Sequence, residues 1–456
     1  MTQISLFLDQ VYHFVWGIPL LVLITGIGLW FTFALGGLQF RYLPYAMKLA
    51  FGKNRDESSA GDISHFQSLM TALAATIGIG NIAGVATALA SGGVGALFWM
   101  WVTALIGMAT KYAEAILAVK FRVADKNGAM SGGPMYFIER GLGWKWLAFL
   151  FAFFGIFAAF GGGNMIQANS VADVMHAVFF VDPLYTAVAL ALLTGLTLLG
   201  GIQSIGRVAS WLVPLMAILY IGGAGYVLLC RYEYIPQALW AIFSHAFTGQ
   251  AAFGGFLGSS VSTTIAVGVS RGLMTSEAGL GTASIAAAAA KTDSPGKQAL
   301  VSMMGSFLAT IVMCTMTGLV LGVTDVFGTI GADGKMVNGA SLTVAAFCSV
   351  VSWGGYIVSI GLVLFAFTTI VGWAYYGEKC IEYLLGKRSV APFRVIFTLF
   401  VLAGALLELE MVWKISDIFN GLMAFPNLIG LFGLSRVVVA ETKGFLGMRG
   451  QGVLSV

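Results

Sequence analysis

The feature that most constrains this chain is a series of apolar runs, most of them long enough to cross a bilayer, that carry almost no charge. A helix of roughly 20 apolar residues spans the hydrocarbon core of a membrane. Only 10% of the 456 residues are charged and the mean hydropathy is +0.90, whereas a soluble domain carries about 25% charged residues. These values exclude a soluble enzyme, a disordered chain and a nucleic-acid-binding protein. They predict an all-α polytopic membrane protein.

The apolar runs predict eleven membrane spans. The fifth is short, and the seventh and ninth are long. Residues 1–12 contain no Lys or Arg, so the chain begins without the basic region of a signal peptide, and the first span follows directly. The spans lie at about 14–37, 67–91, 94–119, 146–177, 184–200, 207–230, 256–290, 298–323, 350–384, 392–408 and 415–440.

The basic residues predict the orientation of these spans. With the N-terminus outside, nineteen of the 24 Lys and Arg residues fall in cytoplasmic loops or at the cytoplasmic ends of spans. Three lie outside (Arg231, Lys335 and Lys414), and two lie within spans (Lys111 and Arg271). Because cytoplasmic loops are enriched in Lys and Arg, we expect an external N-terminus and a cytoplasmic C-terminus. The short loops favour a prokaryotic inner (plasma) membrane.

Spans two and seven each contain a glycine pair that predicts an interrupted helix. Residues 78–81 read Gly-Ile-Gly-Asn, and residues 279–282 read Gly-Leu-Gly-Thr, shortly after the acidic Glu277. Each Gly costs about 0.8–1 kcal/mol of helix stability relative to Ala. A break within the membrane is tolerated only where the freed backbone groups line a cavity or are buried in protein. As one helix, residues 256–290 would measure about 50 Å, longer than the ~30 Å hydrocarbon core.

The two breaks are five spans apart, so they have opposite orientations in the membrane. This spacing predicts an inverted repeat of five plus five spans, over 67–230 and 256–440, with an extra first span at 14–37 and a cytoplasmic tail at 441–456. Paired glycine-interrupted spans at matching repeat positions indicate the central site of a transporter. The alternative is that each glycine pair only permits close helix packing.

The start of span three, residues 92–107, reads Gly-Gly-Val-Gly-Ala-Leu-Phe-Trp-Met-Trp-Val-Thr-Ala-Leu-Ile-Gly. It resembles the signature of the sodium:alanine symporter family, the alanine or glycine:cation symporters. Residues 111–114, 131–136, 163–170 and 276–281 also resemble this family, so the resemblance covers nearly the whole chain. One departure bears on substrate preference: residues 275–277 read Thr-Ser-Glu, where many relatives have Ser-Asn-Glu.

The resemblance implies a LeuT-type fold, with broken helices two and seven and the repeats in spans 2–6 and 7–11. It also implies sodium-coupled uptake of small neutral amino acids, chiefly alanine and glycine, with sodium as the coupling ion and no other cofactor. The sequence contains no nucleophile elbow, P-loop or zinc-protease motif, so we expect no enzyme activity. Proton coupling through Glu277 or Asp173 and a channel-like pore remain alternatives. We expect a monomer in contact with lipid.

A zwitterionic substrate requires donors for its carboxylate, acceptors for its ammonium and a pocket for its side chain. Half-helix N-termini supply free N–H groups and a partial positive charge, and the resemblance assigns this part to the first break. Carbonyls before each break would accept from the ammonium, and Trp373, Met274 and Phe256 would form the pocket wall. The expected substrate-binding residues are Thr76, Ile79, Gly80, Asn81, Gln167, Phe256, Met274, Thr275, Ser276, Thr369 and Trp373.

The resemblance also implies a sodium site between spans two and nine. Its ligands would be the hydroxyls of Thr368 and Thr369 and carbonyls near Ala74 and Ile77. A Thr hydroxyl often bonds its own helix backbone instead, and this alternative stays open. Asn81 and Thr275 match a second ion site in some members of the fold, although the number of ions cannot be read from sequence.

Four residues are expected to shape the breaks, namely Gly78, Glu277, Gly279 and Gly281. We expect Glu277 to bind backbone N–H groups freed by the second break, because an acid within the membrane needs a partner. Lys111 and Glu114 lie three residues apart on span three, and we expect them to form an ion pair near its cytoplasmic end.

Overall fold

The computed structural model describes residues 3–52, 59–124, 128–248, 260–324, 326–330, 336–407 and 410–450. Within these ranges the chain is almost entirely helical. The strands form a single hairpin of two-residue strands, β1 (Val123–Ala124) and β2 (Met130–Ser131), in the loop after the third predicted span. The all-α prediction is therefore confirmed apart from this hairpin, which the sequence pattern did not reveal.

Thirteen α-helices precede the second predicted repeat. In chain order they are α1 (Gln3–Val15), α2 (Ile18–Ala34), α3 (Leu38–Arg41), α4 (Leu43–Phe51), α5 (His65–Thr76), α6 (Ala83–Gly92), α7 (Ala96–Lys120), α8 (Pro134–Phe137), α9 (Lys145–Phe160), α10 (Ile166–Phe179), α11 (Pro183–Leu199), α12 (Gly201–Cys230) and α13 (Ile235–Thr248).

The second half contributes the remaining α-helices of the described chain. They are α14 (Val261–Ser276), α15 (Thr282–Ala288), α16 (Pro295–Ser306), α17 (Thr315–Val323), α18 (Gly339–Cys348), α19 (Gly354–Leu385), α20 (Val390–Leu406), α21 (Glu410–Gly433) and α22 (Ser435–Gly450). Short 3-10 turns occupy Ile79–Asn81, Tyr232–Tyr234 and Lys387–Ser389, and π-helical segments occupy Ile138–Leu142, Gly161–Met165 and Phe307–Cys314.

Eight helical runs in the described residues are long and apolar enough to cross a membrane. They correspond to predicted spans one, three, four, six, eight, nine, ten and eleven. The other three predicted spans fall short for physical reasons. Spans two and seven are interrupted, and α11, which matches span five, has only 17 residues.

The interruption of span two follows from its local sequence. The α5 helix starts at a capping box, in which the Ser64 hydroxyl accepts from Gln67 N and the Gln67 side chain accepts from Ser64 N. It ends at Thr76, and the chain is extended at Gly78 before the 3-10 turn and α6. The predicted break is therefore confirmed.

The interruption of span seven also lies between a longer and a shorter half-helix, α14 with 16 residues and α15 with 7. After α14, Glu277 adopts a left-handed conformation with φ 51°, and Gly279 and Gly281 have φ 90° and 83°. Left-handed backbone costs little only for Gly, so the glycine pair allows the left-handed backbone between α14 and α15. This predicted break is also confirmed.

Some elements differ from the predicted spans. The first span begins earlier than residue 14, because α1 and α2 follow one another with only Trp16 and Gly17 between them. Several helices in the connections were not predicted, among them α13, which packs on α7 and α17, and α18, which packs on α6. Both lie in connections between spans, where they were hidden among short apolar stretches.

The core is built by close approach of helices that carry small residues. The α19 helix crosses α5 at Gly372, where an added Cβ would lie 2.9 Å from both the nitrogen and the Cβ of Ala75. Small residues at such crossings let membrane helices pack closely. In contrast, Gly26 on α2 has no atom within 4 Å of its added Cβ.

We predict that Gly372→Ala lowers the melting temperature of the purified protein, because the added methyl forces α19 from α5. Overpacking of this kind typically costs about 1–3 kcal/mol. The matched control is Gly26→Ala, which should leave the melting temperature unchanged or slightly higher because Ala favours helix. Thermal unfolding in detergent measures both, and equal melting temperatures for the two variants would contradict the crossing described above.

Candidate functional site

A cavity of about 350 Å³ lies at the level of the two breaks. Gly80 is exposed to it although its neighbours Ile79 and Asn81 are buried. Most of the predicted site residues therefore come together around one space. Those that line it are Thr76, Gly78, Ile79, Gly80, Asn81, Gln167, Met274, Thr275, Glu277, Thr369 and Trp373.

The remaining predicted residues that the structure describes do not line the cavity. Ala74 lies in the last turn of α5, and Ile77 directly follows this helix. Gly279 and Gly281 form the second break itself. Ser276 is buried, and its hydroxyl donates to Leu273 O at 3.3 Å. Phe256 lies outside the described residues.

Two adjacent backbone amides at the first break belong to residues that line the cavity and have no acceptor among the described residues. Gly78 N donates to Asn81 Oδ1 at 3.2 Å, and Asn81 N donates to Gly78 O at 3.2 Å. Within the described residues the structure contains no acceptor for the amides of Ile79 and Gly80. These amides open the 3-10 turn that leads into α6, where helix geometry leaves the first N–H groups unpaired.

Asn81 holds this turn in place. Its Nδ2 donates to Ala309 O at 2.8 Å, and its backbone oxygen accepts from Thr317 Oγ1 at 2.9 Å. Ala309 lies in the π-helical segment Phe307–Cys314, whose wider turns release carbonyls from regular pairing. Thr310 in the same segment contacts Thr275 through their hydroxyls at 3.1 Å. The side chain of Asn81 thus joins Gly78 of the first break to the π-helical segment of span eight.

The α19 helix meets the end of α5 through Thr369, whose hydroxyl donates to Ala74 O at 3.1 Å. Two of the four expected sodium ligands are therefore neighbours. Thr368 differs, because its hydroxyl donates to Phe365 O of its own helix at 3.0 Å and lies near Met216. The structure does not bring the Thr368 hydroxyl to Ala74, in line with the alternative that it bonds its own helix.

Glu277 connects the two breaks. Its carboxylate accepts from Thr282 Oγ1 at 3.1 Å and lies 3.2 Å from Thr76 Oγ1, whose hydroxyl also contacts Ala72 O at 2.7 Å, and the residue is only 3% exposed. The prediction that Glu277 binds the freed N–H groups of its own break was wrong. With φ 51° at this residue, its side chain points to span two instead.

The freed amides of the second break are bound by Glu114 on α7. Its Oε1 accepts from Gly279 N at 3.0 Å, from Gly281 N at 3.1 Å and from Asn427 Nδ2 at 2.8 Å. Asn427 Nδ2 also donates to Gly279 O at 2.8 Å. Sequence reasoning missed Asn427, although a polar amide inside the last predicted span was a signal for it.

The predicted Lys111–Glu114 pair is not formed. Neither Lys111 Nζ nor Glu114 Oε2 has a hydrogen-bond partner in the described structure, and both side chains are 1% exposed. Glu114 Oε1 instead accepts from Gly279 N and Gly281 N of the second break, a contact between helices that sequence spacing cannot reveal.

The three amides of span four have different environments. Gln167 lines the cavity, where its Nε2 donates to Gly162 O at 3.0 Å and its Oε1 has no partner in the described structure. Asn164 donates to Phe397 O at 2.7 Å and Asn169 donates to Leu407 O at 3.1 Å. Only Gln167 is placed to contact a ligand.

Several lining residues were not predicted. Arg271 on α14 and Asp417 on α21 bring opposite charges to the same cavity, beside Trp413 and Asn420. An acid at position 417 of the apolar last span was a readable signal, because intramembrane acids usually serve function. The facing of α21 toward the breaks was not readable, since it depends on helix packing.

Comparison with known proteins gives a consistent family. The chain matches the model of the Sodium:alanine symporter family over residues 1–455. It is 56% identical over 441 residues to "Sodium/alanine symporter AgcS" of Methanococcus maripaludis, which covers 96% of each chain. It is 35% identical over 442 residues to "Amino-acid carrier protein AlsT" of Bacillus subtilis, covering 96% of this chain and 92% of the other.

Solved structures share the fold. MhsT in complex with L-phenylalanine matches with a TM-score of 0.58 at 14% identity, over 84% of this chain and 98% of that one. The manganese transporter of Eremococcus coleocola matches with a TM-score of 0.54 at 13% identity, over 81% and 76%. These similarities confirm the predicted LeuT-type fold.

We predict that Glu114→Ala lowers the melting temperature by several degrees, because two buried amides and Asn427 lose their common acceptor. Leaving a buried group unsatisfied costs about 1–3 kcal/mol. Glu441→Ala is the matched control. It removes an acid on α22 that pairs with Lys120, which lies at the exposed end of α7, the helix that carries Glu114. Thermal unfolding measures both, and a Glu114→Ala variant as stable as the control would argue against this role.

Proposed function

The chain belongs to the sodium:alanine symporter family, and from this premise we propose that it takes up alanine or glycine together with sodium by alternating access. The protein is a membrane transporter rather than an enzyme. We propose that it acts as a monomer in a prokaryotic inner membrane, with the N-terminus outside and the C-terminus in the cytoplasm.

The observation that carries the proposal is the pair of unpaired amides at Ile79 and Gly80. Two neighbouring N–H groups at the start of a half-helix form an anion site of the size of one carboxylate. The partial positive charge of the helix end adds to the attraction. A substrate carboxylate at this position would complete the hydrogen bonding of the first break.

The substrate ammonium would lie toward the second break. The α14 helix ends at Ser276, so its last carbonyls, including those of Thr275 and Ser276, lack regular partners. The Glu277 carboxylate adds negative charge at the cavity wall. Carboxylate and ammonium would thus be bound by different broken helices, which couples the substrate to the relative position of the two halves.

The substrate side chain would face Trp373, Met274 and Gln167. Trp373 packs edge-on against Tyr376, with ring centroids 5.7 Å apart, so the indole is supported as a fixed wall. A filled wall excludes large side chains sterically. It separates alanine from glycine only weakly, because one methyl-sized group contributes about 1–3 kcal/mol.

Sodium would bind where α19 meets the end of α5. Thr369 Oγ1 and the carbonyls of Ala74 and Ile77 provide the oxygen ligands that a hard cation prefers. Such a site joins helices that belong to different repeats, so an ion there would stabilise one arrangement of the two. Thr368 adjoins it on α19, although its hydroxyl is bonded elsewhere.

The test is uptake of labelled alanine by proteoliposomes that contain the purified protein. We expect accumulation with an inward sodium gradient and none when choline replaces sodium. Uptake without sodium that follows a pH gradient would overturn sodium coupling and favour a proton, with Glu277 as the candidate carrier. Absence of uptake under both gradients, with glycine tested as well, would overturn the proposed substrates.

We predict that Thr369→Ala raises the sodium concentration for half-maximal uptake by about tenfold or more, since one lost interaction with a charged ligand is worth about 1.5–3 kcal/mol. Thr368→Ala is the matched control, and its sodium dependence should change much less. The measurement is the initial uptake rate over a sodium titration. A larger effect at Thr368 than at Thr369 would refute the proposed ligand set.

A further inference from the structure

Two main-chain segments lie side by side at the ends of α5 and α15 that are farthest from the breaks. Asp62 N donates to Ala289 O at 2.8 Å, and Lys291 N donates to Ile63 O at 2.7 Å. Ile63 and Ala290 form a parallel bridge. The first segment leads directly into α5, and the second leaves α15, so the pairing joins the ends of the two half-helices farthest from the cavity.

Arg122 binds both segments at once. Its Nη1 donates to Ala288 O at 3.0 Å and to Ala290 O at 2.7 Å, and its Nη2 donates to Ala60 O at 2.9 Å and to Thr292 O at 3.2 Å. A guanidinium offers several donors in a fixed planar fork, which an ammonium cannot reproduce. One half-buried side chain therefore contacts four carbonyls on two chain segments.

The local sequence is adapted to this close contact. An added Cβ on Gly61 would lie 2.4 Å from the backbone of Lys291, so only Gly fits between the segments. Asp62 accepts from Met130 N of the β-hairpin at 2.9 Å, which ties the loop after α7 to the same place. Positions 60–63, 122 and 289–292 all belong to loops that the charge bias assigns to the cytoplasm.

The half-helices of the two breaks contribute unequally to the cavity lining. Its walls include residues of α6, α14 and α21, whereas α15 contributes none among the described residues. Residues 275–290 are all buried, and Ser68 on α5 donates to Ala286 O on α15 at 3.0 Å. The halves α5 and α15 are therefore closed against each other below the site.

We propose that Arg122 is a gating residue that holds the cytoplasmic ends of α5 and α15 together, and that its four hydrogen bonds must break before substrate can leave toward the cytoplasm. This inference rests on the alternating access of the proposed function, but not on the identity of substrate or ion. Release of Arg122 frees both half-helices at once, because each contributes carbonyls to the same guanidinium. The conformational change that Arg122 would control is the transition from the outward-facing to the inward-facing state.

The experiment measures access to a reporter cysteine between the two half-helices. Ser68→Cys places a thiol at a site that is 1% exposed and lies against Ala286. The exposed Cys230 and Cys348 are replaced by Ser, and the same background without the reporter gives the labelling of Cys314 and Cys380 for subtraction. Inside-out vesicles are treated with a membrane-impermeant maleimide in the absence of sodium and amino acid.

In this reporter background we expect Arg122→Ala to raise the labelling rate about tenfold or more, which corresponds to about 1.4 kcal/mol. Arg122→Lys should give an intermediate rate. Lys120→Ala is the matched control: it removes a cation two residues away that pairs with Glu441, and it should label like the unmodified reporter. Sodium-driven uptake should fall in Arg122→Ala, because a site that stays open to the cytoplasm cannot bind substrate from the outside.

A labelling rate for Arg122→Ala equal to that of Lys120→Ala would overturn the proposal. Should Arg122→Ala fail to fold, Gly61→Ala provides a second way to separate the segments, and unchanged labelling in that variant and in Arg122→Lys would have the same consequence. The labelling is measured without substrate, so it tests the role of Arg122 even if the uptake test of the proposed function fails.

Discussion

In a bilayer every backbone N–H and C=O must find a partner inside the protein, and this requirement determines how the two broken helices are built. Each break frees amides at the start of one half-helix and carbonyls at the end of the other. At the second break, Glu114 and Asn427 take up the freed groups of Gly279 and Gly281. At the first break, the amides of Ile79 and Gly80 are left to the cavity. The second break is satisfied by protein, and we propose that a ligand satisfies the first.

Because their freed backbone groups are partnered differently, the two breaks have different roles. The second break is held rigid by a buried acid on α7, and it presents Glu277 to the first through Thr76. The first break depends on Asn81, which reaches carbonyl groups released by a π-helical segment in span eight. A ligand bound at Ile79 and Gly80 would therefore affect the position of span seven through Thr76 and Glu277. It would affect the position of span eight through Asn81.

The structure also separates the two ends of the transport path. On one side of the breaks, Arg271 and Asp417 bring opposite charges to the lining of the cavity. Below them, α5 and α15 are joined by Ser68, by paired main chain and by Arg122. Hydrogen bonds to main-chain carbonyls suit this lower closure, because they fix position without requiring a second charge to be buried.

The sequence by itself determined the membrane class, the family, both breaks and about half of the residues that line the cavity. It could do so because span length, glycine pairs and intramembrane polar residues are local consequences of the bilayer, and because the family signature lies in one continuous stretch. It did not determine partners across helices. Glu114 binds Gly279 rather than Lys111, Thr368 turns to its own helix while Thr369 reaches Ala74, and Arg122 joins two loops more than 160 residues apart. These contacts depend on the rotation and crossing of packed helices, which are set by the tertiary structure as a whole.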